Sequence, residues 1–232
     1  YRSDMDGPQD ARDLIEPMER RLDQEQDQED VDRLALLLEM GQLAATHLID
    51  PTRALEYLNQ ARSVGAGASD LLEPLEILVE RSAEDVRLLS LLRSIYHEVG
   101  AWDRYVETGR VEAGLTPEPK QSANILFEVA TVLEDEVEDL DKACGLYDRA
   151  MALDRGFAQG VVERLRRVLV KEPGRKSALR LLKKIYRQDR DGEALLELLE
   201  AEEAVVTDQG RRVELLVEMA EVCTHQVGRP DR

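Results

Sequence analysis

The feature that most constrains this chain is that it resembles itself. Leu38-Glu39-Met40-Gly41 falls on Phe127-Glu128-Val129-Ala130 and then on Val217-Glu218-Met219-Ala220, at offsets of 89 and 90 residues. DPTRALEYLNQA, residues 50–61, falls on DLDKACGLYDRA, residues 139–150, and keeps Asp50/Asp139, Arg53/Lys142, Ala54/Ala143 and Ala61/Ala150. Leu91-Leu92-Arg93-Ser94-Ile95-Tyr96 falls on Leu181-Leu182-Lys183-Lys184-Ile185-Tyr186, again 90 apart. The 232 residues therefore hold about two copies of a 90-residue unit and the start of a third. A chain built this way buries the apolar face of each unit against its neighbours instead of around one closed core.

Within each copy the apolar residues recur at helical spacing. Leu34, Leu37, Leu38, Gly41 and Ala45 form one stripe, and Ala54, Leu55, Leu58 and Ala61 the next. Aromatic residues are only 4% of the chain, long tracts of Leu, Ala, Glu and Arg recur, and the alternation of β-branched residues expected of strands is lacking. The breaks are short: Asp50-Pro51, Gly65 to Gly67, Thr116-Pro117-Glu118-Pro119 and Pro173-Gly174. This pattern predicts an all-α protein with helices near 11–25, 33–48, 51–64, 69–81, 84–99, 102–114, 122–137, 140–153, 157–171, 175–189, 192–206 and 211–227. The expected organisation is a helix and acidic polar loop over 1–32, super-repeats over 33–121 and 122–210, and a third begun at 211–232. Antiparallel helices with such short connections stack into an α-solenoid.

These residues resemble the tetratricopeptide repeat. Met40-Gly41, Ala54, Leu58 and Ala61 look like one unit of it, and Val129-Ala130, Ala143, Tyr147, Ala150 and Leu153-Asp154 like a second. Leu182, Tyr186, Ala194, Leu198 and Ala201 look like a third. The pair from 84 to 114 is degenerate, with Arg104 where the small residue belongs and Thr108 where the large one does. The departures are single helices at 69–81 and 157–171 between the pairs, and Arg155 in place of the turn proline. The resemblance implies a right-handed α-solenoid of antiparallel helix pairs, with extra single helices between pairs, that binds a partner along its concave face.

Residues 11–25 read like the second helix of a preceding unit, and Gly228 to Arg232 like the turn that elsewhere launches a helix. The expectation is a fragment of a longer protein whose uncapped ends would stack with further copies.

Motifs of catalysis are missing. Pro173-Gly174-Arg175-Lys176-Ser177 is not a phosphate loop, and HExxH, GxSxG and GxGxxG do not occur. His47, His97 and His225 fall on three separate helices, so no metal site is expected, nor any cofactor. Cys144 sits among Asp139, Asp141 and Asp148, a setting that disfavours a thiolate, and takes the place of Leu55 one copy earlier. The expectation is a small core residue. Two cysteines without CxxC spacing, and no apolar run long enough for a membrane span, point to a reduced, cytoplasmic compartment. A bias of arginine over lysine suggests a GC-rich bacterial genome.

The net charge of −18 argues against casual contact with nucleic acid. Locally the sign reverses. Between Arg155 and Arg190 twelve Lys or Arg face three acids, a charge of +9 that leaves −27 on the rest of the chain. Phe157 and Tyr186 are the two aromatic residues in this stretch, too few to stack a run of bases, so the expected partner is a protein or peptide with an acidic segment. The resemblance places groove positions at Ser177, Arg180, Lys184, Arg187 and Gln188, and at Asn124, Phe127, Thr131, Glu134 and Asp135 of the helix at 122–137. Among these, Arg180, Lys184, Arg187, Ser177, Asn124 and Glu134 are the candidate partner-binding residues. The alternative for the cations is mutual neutralisation across adjacent helices. The expected function is a non-catalytic interaction scaffold. A spacer or self-association segment, and the regulatory arm of a larger enzyme, are the alternatives.

Overall fold

The computed structural model describes residues 8–24, 30–48 and 51–224. Among them are twelve α-helices and no strand. These are α1 (Pro8–Gln24), α2 (Asp30–Leu43), α3 (Pro51–Val64), α4 (Ala68–Arg81), α5 (Val86–Glu98) and α6 (Trp102–Leu115), then α7 (Pro119–Asp135), α8 (Leu140–Leu153), α9 (Ala158–Lys171), α10 (Lys176–Asp189), α11 (Gly192–Val205) and α12 (Gln209–Val222). A π-helical turn, Ala44–Leu48, extends α2, and a 3-10 turn, Arg155–Phe157, precedes α9. The starts of α2, α7 and α12 lie 89 and then 90 residues apart, and α4 and α9, like α6 and α11, span the same lengths 90 residues apart. The expected cap at Asp50, His225 and the turn at 228–232 lie outside the described residues.

The chain divides into two compact units, Tyr1–Pro117 and Glu118–Arg232, at the proline-containing stretch Thr116 to Pro119. In each unit helices pack on their neighbours in sequence. In the first, α2 lies on α3, α4 on α5, and α5 on α6. In the second, α7 lies on α8, α9 on α10, α10 on α11, and α11 on α12.

The helix punctuation has local causes. Asp85, Asp139, Asp191 and Asp208 each accept a hydrogen bond from a backbone N–H two or three residues on, which satisfies a donor that the first turn leaves unpaired. Such a cap contributes about 1 kcal/mol. After α5, Gly100 takes the left-handed conformation at φ 71°, and the Ala101 N–H closes on the Tyr96 carbonyl at 2.9 Å. After α10, Arg190 takes it at φ 55°, and the Asp191 N–H closes on the Tyr186 carbonyl at 2.9 Å.

The buried residues of α2 and its π-helical turn are Leu36, Leu37, Met40, Gly41, Ala44 and Ala45. This set is rotated from the expected stripe, and Leu34 and Leu38 are only half-buried. Gly41 sits close under Leu58 of α3: a Cβ there would stand 2.6 Å from Leu58 Cδ2, and that side chain would have to shift to admit it. The corresponding pair in the second unit is Ala130 and Tyr147, both fully buried. Each large side chain so enclosed contributes about 1.5–3 kcal/mol.

Candidate functional site

The six residues singled out in the sequence do not share one environment. Lys184, on α10, places Nζ 2.6 and 2.7 Å from the two carboxylate oxygens of Asp148 on α8. Arg187, one turn on, pairs with Glu218 on α12. Both keep about half of their side chains in solvent. Arg180 is exposed and has no ion-pair partner among the described residues. Ser177 is buried with an unpaired hydroxyl, close to the Cys144 thiol. On α7, Asn124 is exposed and donates to Glu128 at 2.8 Å. Glu134 is mostly buried and accepts from Tyr147 Oη at 2.6 Å and Arg164 Nε at 2.9 Å. Glu134 thus serves as internal cement between α7, α8 and α9.

Much of the basic excess is met in the same way. Arg164 also reaches Asp135 at 2.6 Å, and Arg155 pairs with Gln188 at 2.9 Å and with Asp189 at 2.5 Å. Lys183 is almost wholly buried, its Nζ 2.6 Å from Glu202 Oε2 on α11 and 3.4 Å from Glu218. Arg211 adds a bond to Glu202 at 2.9 Å. Burial alone would raise the Glu202 carboxyl, but the bonds from Lys183 and Arg211 outweigh it and hold its pKa below the ordinary glutamate value.

Sequence reasoning passed over a second set of residues. Ninety residues before Lys183 and Glu202 stand Arg93 and Glu112, joined Nε to Oε2 at 2.5 Å with both side chains largely buried. The ion pair is a repeated element. A tyrosine contact repeats as well, with its sign reversed: Tyr96 Oη donates to Glu76 at 2.7 Å, whereas Tyr186 Oη accepts from Arg166 Nε at 2.8 Å. Burial, and then the bond to Glu76, pushes the Tyr96 phenol well above its ordinary value, so it stays a neutral donor. The available signal was the 90-residue spacing of each partner, which pattern matching on apolar residues ignores.

Beside Tyr96 the first unit has a cleft of about 290 Å³. Its apolar lining comes from Val79 of α4, the buried Leu89 and Leu92 of α5 and the exposed Val111 of α6, and Glu76, Glu80, Glu107 and Arg104 complete it. Thr108 also lines it. The residue 90 positions on is Leu198, a larger side chain that is buried in the second unit.

Other reactive groups are quiet. Burial, then Asp141 and Glu134, pushes the Cys144 thiol up to about 11, which keeps it protonated and poorly nucleophilic at neutral pH. His97 stacks edge-on against Trp102 and Tyr105, at centroid distances of 5.3 and 5.5 Å. Among the described residues no cluster of three or more His, Cys, Asp or Glu could hold a metal ion, and no helix is long and apolar enough to cross a membrane. Compared with known proteins, the chain matches no family model, and no curated protein matches its sequence.

Proposed function

We propose that this protein is a non-catalytic interaction scaffold, a tetratricopeptide-like α-solenoid of antiparallel helix pairs that docks a partner polypeptide carrying an acidic segment. The observation that carries this reading is the row Arg180, Lys184 and Arg187 along α10. Arg180 has no ion-pair partner among the described residues, and Lys184 and Arg187 remain half exposed despite their acidic neighbours. Cations spaced one turn apart present their donors to successive carboxylates of an extended or helical ligand. Lys184 and Arg187 would exchange Asp148 and Glu218 for the ligand, so the expected affinity is modest and falls with salt.

The test is fluorescence anisotropy of a labelled Glu/Asp-rich peptide against the full chain. Arg180→Glu, at an exposed position, should leave the melting temperature unchanged and weaken binding several-fold; the triple reversal with Lys184→Glu and Arg187→Glu should abolish it. Equal binding by all three proteins would remove the reading. Self-association is the second reading, and the half-exposed row Val213, Leu216 and Val217 on α12 favours it. It predicts concentration-dependent light scattering that Leu216→Lys suppresses.

A further inference from the structure

The cleft between α4, α5 and α6 has no counterpart in the reading above. It lies in the other unit, it is acidic where α10 is basic, and Leu89, Leu92 and Tyr96 fall between the α5 residues that correspond to the groove row of α10. Four observations describe what would fill it. Its aliphatic lining comes from three helices. Three carboxylates stand around it against one guanidinium, and Glu80, Arg104 and Glu107 are exposed with no hydrogen-bond or ion-pair partner among the described residues. Tyr96 holds Glu76 in place from below. The fourth concerns Thr108, which lines the cleft while nine-tenths buried.

In a helix a threonine hydroxyl ordinarily bonds the carbonyl four residues back. Thr46, Thr116 and Thr131 do so, at 2.7, 2.7 and 3.0 Å. Thr108 has no hydrogen-bond partner among the described residues. Its hydroxyl is not sealed from solvent as Ser177 Oγ is, so it opens into the cleft as an unengaged acceptor for a group that enters there. The position therefore combines space, an apolar wall, a free hydroxyl acceptor and an excess of negative charge.

We propose that this cleft receives one basic side chain of a partner polypeptide, its aliphatic stem on Val79, Leu89, Leu92 and Val111 and its cationic head among Glu76, Glu80 and Glu107, with Thr108 Oγ1 accepting one of its N–H groups. Lysine and arginine suit such a place because their stems are apolar and their heads are donors only. A cavity of this volume is at the small end of ligand sites and matches a single long side chain better than a folded element. Arg104 at the lip disfavours a doubly charged neighbour, so the recognised segment carries an isolated cation flanked by uncharged residues.

The test uses the full chain and a labelled twelve-residue peptide with one central lysine among alanine, leucine and serine, beside the same peptide carrying norleucine instead. Norleucine keeps the stem and removes the charge. The lysine peptide should bind at least tenfold more tightly. Thr108→Leu, which installs the residue found 90 positions later, should fold normally and weaken binding at least tenfold. If that variant fails to fold, the pair Glu80→Gln and Glu107→Gln, at exposed positions, carries the same expectation. Glu200→Gln on α11 should bind as the parent does. Equal affinity for the two peptides, undiminished binding by a folded Thr108→Leu chain, or an equal loss in Glu200→Gln would each overturn the proposal; the last would mean only general attraction to a chain of net charge −18. Loss of acidic-peptide binding in Arg180→Glu with lysine-peptide binding intact would separate this site from the α10 row.

Discussion

Helices α4, α5 and α6 and, 90 residues later, α9, α10 and α11 make the same turns with different chemistry. Tyr96 meets a carboxylate where Tyr186 meets a guanidinium, Arg93 and Glu112 stand where Lys183 and Glu202 do, and Gly100 turns the chain where Arg190 does. What is preserved between the copies is therefore the geometry of each contact, that is, a donor facing an acceptor across the same pair of helices. The sign and identity of the partners are free to change. Side-chain volume changes as well: Thr108 stands where Leu198 does, Arg104 where Ala194 does and Val111 where Ala201 does, and all three line the cleft.

The comparison can be broken most sharply at the buried ion pairs. Removing one partner from such a pair leaves a charge in an apolar setting, which costs about 3 to 5 kcal/mol. Glu112→Ala and Glu202→Ala should both lower the unfolding free energy from urea melts by that order. The cost should be smaller for Glu202→Ala, because Glu218 stands 3.4 Å from Lys183 and takes over part of its compensation. The double replacement Lys183→Met with Glu202→Leu should be close to neutral, as is common when a whole buried pair becomes apolar.

The next effect in size is acid sensitivity. The folded pKa of Glu202 lies below the ordinary 4.5, so the native state binds fewer protons than the unfolded chain around that pH. Its contribution is complete above about pH 5 and is lost as pH falls through the folded value. Glu19, Asp85 and Asp139 are lowered too and act in the same direction. Thermal melts between pH 7 and pH 3 should show a plateau and then a decline. The Lys183→Met, Glu202→Leu chain should decline less steeply.

The smallest effect concerns the turns. A non-glycine residue in the left-handed region carries a penalty of about 1 kcal/mol, so Arg190→Gly should raise stability by roughly that amount, while Gly100→Ala should lower it similarly. Calorimetry that gave both substitutions the same sign would contradict the equivalence of the two turns.

How far the sequence alone leads follows from the range of the forces involved. Helix positions are governed by local periodicity and by caps such as Asp139 and Asp191, and the expected helices match the observed ones to within a few residues at most ends. Cys144 was legible as a core residue because it substitutes for Leu55, and both are buried. The fate of the basic stretch was not legible. A count of charges says nothing of pairing, and Lys184 finds Asp148 across 36 residues of chain, as Arg164 finds Glu134 across 30. Glu134 looked like a groove residue by position, yet its side chain turns inward to Tyr147 and Arg164. The cleft was half legible. Arg104 and Thr108 stand out as departures from the repeat, but that they line a space between three helices needs the packing.

The central claim is that Thr108 occupies a vacated core position of the repeat. Paired urea melts of Thr108→Leu and Leu198→Thr test it most directly. The account predicts opposite signs: Thr108→Leu fills the cleft and gains about 1 kcal/mol, whereas Leu198→Thr removes buried apolar surface, strands a hydroxyl and loses about 2 kcal/mol or more. Destabilisation of the same size in both variants would show that Thr108 packs natively in a full core, and would contradict the account.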